Sequence, residues 1–196
     1  PLGRRHVLQV TAIRQHLALN GVWAGEILNR HKDGSIHPHF LTITAARDDQ
    51  GRPTHYVGTL TDITERRRIE AERDELNRDF VSFLENTTDF IYFKDTDSRF
   101  RFCSQALARI TGHRSWRDLT GKHTLEVFPP DTGPIYHGEE IAIIRDGTPL
   151  IDKTDPYYDS TGRRGWINTC KWPIVDETGK VTGLFGISRD ITAHMR

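Results

Sequence analysis

One stretch of the chain occurs twice. Residues 48–64 recur without a gap 128 positions later as residues 176–192, and seven of the 17 aligned pairs are identical. Average residue frequencies would give about one identity in a segment of this length. Gly34 and Gly162 align at the same offset, so the similarity continues upstream through a second turn. The chain therefore contains two copies of one unit, and its fold has to accommodate that unit twice.

Each copy has the pattern of three strands separated by two turns. Residues 32–35 carry an Asp-Gly hairpin signal, and Gly51 and Gly179 mark the second turn of the two copies. We predict strands over 23–31, 36–47 and 54–61 in the first copy and over 149–158, 164–175 and 181–189 in the second. The sequence therefore predicts an antiparallel meander of three strands in each copy.

The second copy is preceded by residues that have no counterpart in the first. Its additional segments read as a hairpin over 89–94 and 99–103, short helices over 104–111 and 115–119, and a longer helix over 131–146. The first copy begins only with a segment equivalent to the longer helix, over residues 6–19, where apolar residues occur at Val7, Leu8, Val10, Ile13 and Leu17. We therefore expect a complete second copy and a truncated first copy.

A helix is predicted between the two copies, over residues 65–85. This segment is rich in Glu and Arg and has no Gly or Pro, and Ile69, Leu76 and Phe83 follow one another at intervals of seven, with Phe80 between the last two. Thr64 is the predicted N-cap. The pattern fits either a solvated surface helix or a helix that pairs with the same helix of a second chain in a homodimer.

Composition and charge exclude several classes of protein. Lys and Arg number 27, and Asp and Glu also number 27, so the formal net charge is zero and we expect neither nucleic acid nor an acidic membrane as a partner. No apolar run approaches the roughly 20 residues of a membrane-spanning helix. The two cysteines are far apart and lack metal-ligand spacing, which argues against a metal site and favours the cytoplasm.

The order of these elements resembles the PAS domain family. The second copy carries short motifs of that family in the expected order: IYFKD at 91–95, GK at 121–122, FP at 128–129, CKWP at 170–173 and FGISRDIT at 185–192. The first copy carries WAGEILNRHKDG at 23–34 and ends in DIT at 62–64. The resemblance covers nearly the whole chain, and the repetition of the motifs in two copies strengthens it.

The resemblance implies an α+β fold, in which a five-stranded antiparallel sheet has helices on one face. It divides the chain into the C-terminal half of a first PAS domain at 1–64, a helical linker at 65–86, a complete second PAS domain at 87–192, and the start of an outgoing linker at 193–196. The expected fold is thus a complete PAS domain, preceded by a truncated PAS half and a linking helix.

PAS pairs of this kind are similar to those of bacterial sensor histidine kinases and of cyclic-di-GMP enzymes with GGDEF or EAL domains. The resemblance implies a sensory module that binds a small molecule and relays the result through helical linkers to an output domain. The relay residues would be Asp62, Thr64, Asp190 and Thr192, at the ends of the two last strands. No nucleophile elbow, zinc-protease motif or phosphate loop occurs, so we expect no catalysis by this segment.

A ligand cavity can be placed by aligning the strands with PAS domains that hold internal ligands. Strand alternation then turns seven side chains toward the helices, and three residues of the longer helix complete the predicted site. The ten residues are Tyr92, Lys94, Tyr136, His137, Ile141, Ile167, Thr169, Lys171, Leu184 and Ser188.

Two lysines in one cavity require an anion, because a buried ammonium is costly unless it is paired. The anion could be a small organic carboxylate ligand or a neighbouring acidic side chain. Alternatively, Lys94 and Lys171 extend to the rim of the cavity and stay hydrated. If they face a ligand, replacing either by Met should weaken binding and preserve the fold.

Two cofactors are alternatives to a small ligand. Haem could be ligated by His137, which stands ten residues before Gly147, as in haem-binding PAS domains. Flavin is not expected, because Cys103 lies at the end of a strand and the LOV signature is missing. The remaining alternative is a ligand-free dimerisation and relay module.

The outer face of the second sheet is expected to be apolar and to need a cover. The cover would be the helix over 65–85 or a partner chain. The residues of this face are Trp166, Cys170, Trp172, Phe185 and Ile187.

Overall fold

The computed structural model describes residues 2–195, with side chains from residue 11 onward. The chain forms two compact units that divide between Leu76 and Asn77. The predicted apolar positions Val7, Leu8 and Val10 lie outside the described side chains. None of the helices within residues 2–195 is long and apolar enough to cross a membrane.

The first unit consists of helix α1 (Leu2–Asn20) and an antiparallel sheet of β1 (Val22–Arg30), β2 (Ile36–Arg47) and β3 (Pro53–Asp62). The strands lie in the order β1-β2-β3, which confirms the predicted meander. Gly34 and Gly51 occupy the two turns with φ of 89° and 77°, a conformation that residues with a Cβ rarely adopt.

The second unit contains a five-stranded antiparallel sheet in the order β5-β4-β8-β7-β6, as the PAS resemblance implies. Helix α2 enters it from the first unit, and short helices connect β5 to β6. In chain order the elements are α2 (Thr64–Asn86), β4 (Phe90–Lys94), β5 (Phe100–Cys103), α3 (Gln105–Ile110), a 3₁₀ turn (Trp116–Leu119), α4 (Thr124–Val127), α5 (Gly133–Asp146), β6 (Leu150–Tyr158), β7 (Arg164–Val175), β8 (Val181–Asp190) and a 3₁₀ turn (Thr192–His194).

The repeat detected in the sequence is a structural repeat. Adding 128 to the bounds of β2 and β3 gives the bounds of β7 and β8. The turns agree as well, because Asp48 Oδ1 accepts hydrogen bonds from two backbone N–H groups in its turn. Asp176 Oδ1 accepts the equivalent two bonds in the second copy. The same side chain therefore closes the same turn in both copies.

The core of the second unit lies between the helices and the inner face of the sheet. Strand alternation brings apolar side chains of β4, β5, β7 and β8 to this face, and α3 and α5 supply the opposing layer. The buried members include Phe90, Phe100, Leu107, Ile143, Ile167 and Leu184. The helices therefore cover one face of the sheet, as expected.

The outer face of this sheet carries a row of stacked aromatic rings. The ring centroids of Phe93 and Phe185 lie 5.5 Å apart, and those of Trp172 and Phe185 lie 5.1 Å apart. Phe80 of α2 packs edge-on against Phe93 and Phe102, at 5.9 and 5.1 Å. The C-terminal part of α2 therefore covers one end of this face. Phe80 does not belong to the exposed side of the helix, where the heptad pattern placed it.

Candidate functional site

A cavity of about 140 Å³ lies in the second unit, between α5 and the inner face of the sheet. A cavity needs only roughly 10–15 Å³ to hold one water, so this cavity has room for several waters or for a small molecule. Much of its wall is apolar or aromatic, with Phe90, Leu107, Phe128, Tyr157 and Ile167 among the lining residues. The cavity has the size of a small metabolite.

Seven of the ten predicted site residues line this cavity. They are Tyr92, Lys94, Tyr136, Ile167, Thr169, Lys171 and Ser188. The alignment with ligand-holding PAS domains and strand alternation together placed the strand residues among them, because successive side chains point to opposite faces of a sheet.

The other three predicted residues do not line the cavity. Leu184 is fully buried in the apolar core instead. Ile141 is 40% exposed, because it is five residues beyond Tyr136 and therefore about 140° further around α5. His137 Nδ1 lies 3.1 Å from Ser98 Oγ, and its ring packs against His123. His137 is therefore not placed to ligate a haem in this cavity.

Lys94 is held at the inner end of the cavity. Its Nζ forms an ion pair with Glu140 of α5 and donates a hydrogen bond to Thr124 Oγ1 at 2.6 Å. The Thr124 hydroxyl lies 2.7 Å from the other oxygen of the Glu140 carboxylate. Both charged side chains are 1% exposed, so the hydrated rim position considered for this lysine is wrong. Burial lowers the pKa of Lys94 to about 8, although Glu140 opposes the shift.

Lys171 belongs to a second charged network. Its Nζ donates to Glu139 Oε2 at 2.7 Å, and its side chain is only 3% exposed, so it too is not at a hydrated rim. The other oxygen of Glu139 accepts from Lys153, which also lies 2.9 Å from Asp155 Oδ2. Burial alone would raise the pKa of Glu139, but the two lysines hold that pKa below its ordinary value. Lys153 is 35% exposed, so the network extends from the cavity to the surface.

Hydroxyl groups complete the polar lining. The Thr169 and Ser188 hydroxyls lie 2.8 Å apart on neighbouring strands. The ring of Tyr92 lies over Gly186, where any side chain would collide with it. Burial raises the pKa of Tyr136 to about 12, so its hydroxyl stays protonated at neutral pH and can donate a hydrogen bond.

Sequence reasoning missed the acidic residues of the site, which are Glu139, Glu140 and Asp155. Tyr136, Glu140 and Ile143 follow one another at spacings of four and three, which is the period of one face of a helix. This spacing would have placed Glu140 on the buried face, between a cavity residue and a core residue. Asp155 lies two residues from Lys153 and from Tyr157 on β6, so alternation would have turned all three inward.

The two predicted relay junctions share a common geometry. Asp62 accepts a hydrogen bond from the backbone N–H of Thr64, and Asp190 accepts one from Thr192, both at 2.8 Å. Thr64 is the first residue of α2 and the carbonyl of Ile63 accepts the first helical bond, from Arg67. The predicted N-cap at Thr64 is therefore wrong, and Asp62 supplies the acceptor at this helix start.

The two junctions differ in whether the threonine hydroxyl accepts a hydrogen bond from the neighbouring strand. Thr192 Oγ1 accepts the backbone N–H of Trp166 at 2.9 Å, which ties the end of β8 to β7. The equivalent residue in the first copy is Pro38, which has no N–H to donate. The backbone bond from Ile63 to the Pro38 carbonyl is nevertheless kept, as is the bond from Ile191 to Trp166.

The cysteines do not form a reactive pair. Cys103 is fully buried at the end of β5, and burial raises its pKa to about 12, so it is a neutral thiol. Cys170 Sγ accepts the backbone N–H of Asp152 at 3.3 Å. Among the residues that the structure describes, no group of three or more His, Cys, Asp or Glu side chains is arranged to hold a metal ion.

Comparison with protein families agrees with this architecture. A family model described as "PAS fold" matches residues 84–196, and a second, described as "PAS domain", matches residues 8–65. The chain belongs to the PAS family. Its two PAS matches coincide with the two copies of the internal repeat.

Among characterised proteins, this PAS chain is similar to the aerobic respiration control sensor protein ArcB of Escherichia coli K12. The two are 28% identical over 115 residues, which are 59% of this chain and 14% of ArcB. The chain thus spans about one seventh of the length of that relative.

Two solved structures with a similar fold are both VqmA proteins. The Vibrio cholerae VqmA dimer without target DNA has a TM-score of 0.52 and 21% identity, over 59% of this chain and 52% of that chain. VqmA bound to DPO has a TM-score of 0.51 and 21% identity, over 57% of this chain and 56% of that chain. At this level of identity the similarity concerns the fold.

Proposed function

We propose that this chain is the sensory PAS region of a bacterial signal-transduction protein, and that its second PAS unit binds a small molecule in the cavity beneath α5. The observation that carries the proposal is the cavity itself, in which aromatic walls surround a small number of buried polar groups. Ligand sites in proteins have this composition, because apolar walls provide binding energy and a few polar groups fix orientation. The sequence similarity to the sensor protein ArcB supports a role in sensing.

The signal would leave the unit through its last strand. Ser188 lines the cavity on β8, and Asp190 and Thr192 follow within four residues, where this strand ends. A ligand that contacts Ser188 could therefore bias the position of the outgoing segment. We propose an output domain of the histidine kinase or cyclic-di-GMP class, a cytoplasmic location, and no catalysis by the PAS region itself.

Native mass spectrometry of the purified protein tests ligand binding, because it reports bound mass and oligomeric state together. We expect a bound small molecule, or one that can be restored by adding metabolites and that raises the melting temperature. A protein that binds no metabolite, and whose melting temperature none of them changes, would instead support the ligand-free dimerisation and relay module. The exposed apolar side chains of α2, which are Ile69, Leu76 and Phe83, favour this dimerisation and relay function.

A further inference from the structure

The charge of the ligand can be inferred from the charges that already line the cavity; this step rests on the proposed ligand-binding function. The charged lining residues are Lys94, Glu139, Glu140, Asp155, Asp159 and Lys171. Lys94 pairs with Glu140, and Lys171 pairs with Glu139. The two aspartates pair with Lys153 and Arg163, which lie next to the lining. Cations and anions in and around the cavity are therefore balanced without a ligand.

This balance changes the interpretation of the two lysines. Two unpaired lysines would need an anionic ligand, but both have carboxylate partners from consecutive positions of α5. An added carboxylate would bring an unpaired negative charge next to side chains whose charges are already paired, and an added ammonium would do the same with a positive charge. A ligand without net charge avoids both costs.

The cavity nevertheless offers hydrogen-bonding capacity at two places. The Lys171 ammonium has three N–H bonds, and Glu139 is its only hydrogen-bond partner among the side chains described, so two donors are free. The Tyr136 hydroxyl is another lining donor, and Lys171 Nζ lies 5.5 Å from the centroid of its ring. This end of the cavity can therefore bind an oxygen acceptor without giving up the ion pair with Glu139.

The opposite capacity is found at Asp155. One of its carboxylate oxygens lies 2.9 Å from Lys153 Nζ. Within the described part of the chain, the other oxygen has no ion-pair or hydrogen-bond partner, and Asp155 lines the cavity. Asp155 can therefore accept a hydrogen bond from a ligand. The series Lys171, Glu139, Lys153 and Asp155 connects the donor end to this acceptor through successive ion pairs.

We propose that the ligand of the second PAS unit is a small molecule of zero net charge, which presents an oxygen acceptor to Lys171 and a hydrogen-bond donor to Asp155. A zwitterion such as a free amino acid satisfies this description, and so does a neutral amide or lactam. In both, the hydrogen-bond acceptor and donor lie close together at one end of the molecule, and the apolar body can pack against Phe90, Phe128 and Tyr157, which line the cavity.

Matched compounds that share one apolar body and differ in their polar groups, and so in net charge, test this proposal on the unmodified protein. One series consists of phenylalanine, 3-phenylpropanamide, 3-phenylpropanoate and phenethylamine. Two parallel series carry the side chain of leucine or of tryptophan in place of the benzyl group. Calorimetric titration gives the affinity of each compound. Within the series that binds best, we expect the amino acid or the amide to bind at least about ten-fold more tightly than both singly charged analogues, equivalent to about 1.4 kcal/mol.

The outcomes separate the two levels of the proposal. Tightest binding by the carboxylate or by the amine would overturn the zero net charge and leave ligand binding intact. If no compound of any series bound, the proposed ligand-binding function itself would be contradicted. The amino acid and the amide distinguish a zwitterionic from a neutral ligand.

Variants locate the binding to the two polar ends. Lys171→Met and Asp155→Asn should each weaken binding of the preferred compound at least about ten-fold, and Lys180→Met, on an exposed turn, should not change it. Glu139→Gln removes one negative charge from the balanced set, so this variant should shift preference toward the carboxylate. An unchanged order of affinities in Glu139→Gln would argue against charge balance as the basis of selection, whichever compound the wild type prefers.

Discussion

Lys94 and Glu140 form an ion pair in which both side chains are almost completely buried. Desolvation of two charges offsets much of their attraction, so such a pair adds little net stability while both members are present. Removing one member is different, because the other charge is then left in the interior without a partner. This asymmetry determines what a substitution at Lys94 does, and it disagrees with the sequence-based expectation that Lys94→Met preserves the fold.

We therefore predict that Lys94→Met lowers the free energy of unfolding by about 3–5 kcal/mol, the range found when a buried pair is broken. The double variant Lys94→Met/Glu140→Gln should lose less than the single variant, because Gln removes the unpaired charge and is still able to bond Thr124. Urea denaturation of the three proteins measures both effects. A double variant that is less stable than Lys94→Met would show that the pair is not coupled.

Glu139 leads to a prediction about pH. Its pKa in the folded protein lies below the ordinary value of 4.5, so its ionised form contributes stability that is fully present above pH 4.5 and lost as the pH falls through the folded pKa. The stability advantage of the wild type over Glu139→Gln should therefore be constant from pH 7 to about 5 and shrink at more acidic pH. Denaturation at several pH values tests this, with Glu177→Gln on an exposed turn as the control. An advantage that is unchanged at pH 3.5 would contradict it.

The residues of the site differ in how well the sequence predicted their positions. A strand has only two faces, so aligning one of its residues with known PAS domains fixes the direction of the others. This allowed the prediction of Tyr92, Lys94, Thr169, Lys171 and Ser188. A helix has no such two-fold choice, and a shift of one residue rotates a side chain by about 100°. The assignments on α5 were therefore less accurate, and the acidic partners of both lysines were missed there.

At the scale of elements, the two strand-to-helix junctions are a natural pair for comparison. Both have an Asp-Ile-Thr sequence and the same backbone bond from Ile to the preceding strand. Only in the second copy does the threonine hydroxyl also accept a backbone N–H, from Trp166. Pro38 occupies the equivalent position in the first copy, so the threonines have different structural roles despite identical local sequence.

We predict that Thr192→Val lowers the stability of the second unit by about 1–3 kcal/mol, because the Trp166 N–H loses its acceptor in a partly buried position. Thr64→Val is the matched control and should change stability by less than about 0.5 kcal/mol, since no backbone donor depends on it. Tryptophan fluorescence follows the second unit, which contains three of the four tryptophans. Equal losses in the two variants would mean that the Trp166 bond is not the cause.

The internal repeat made the boundaries of the strands more predictable than those of the other elements. The predicted strands 36–47 and 164–175 coincide with β2 and β7, because each copy supplied turn signals that confirmed the other. The short helix α4 has no equivalent in the first copy and was not predicted. Its four residues begin after His123, whose ring accepts the backbone N–H of Leu125, an unusual cap that residue preferences do not indicate.

At the scale of the whole molecule, the exposed side of α2 is an apolar surface that a second chain could cover. Three apolar side chains of α2 stand seven residues apart and are exposed: Ile69 by 55%, Leu76 by 71% and Phe83 by 53%. Phe80 is not available to a partner, because it packs against the second sheet. A repeat of seven places these side chains along one stripe of the helix, which supplies one of the two apolar positions of a coiled-coil heptad. Arg66 and Glu72 lie one turn before and after Ile69, and their ion pairs with Glu70 and Arg68 neutralise the charges next to the stripe.

We predict that the protein forms a parallel homodimer through this stripe and that Leu76→Glu dissociates it, because two carboxylates would then face each other at the centre of the seam. Asn77→Glu adds the same charge one residue further on, about 100° around the helix, and should leave the dimer intact. Light scattering gives the mass of each protein in solution. A monomeric wild type, or equal dissociation by both variants, would contradict pairing through α2. A dimer that persists in Asn77→Glu and is lost in Leu76→Glu would show that the two chains contact each other through this stripe. Since α2 begins at the Asp62 junction, a rotation of α2 would then alter the contact between the two chains.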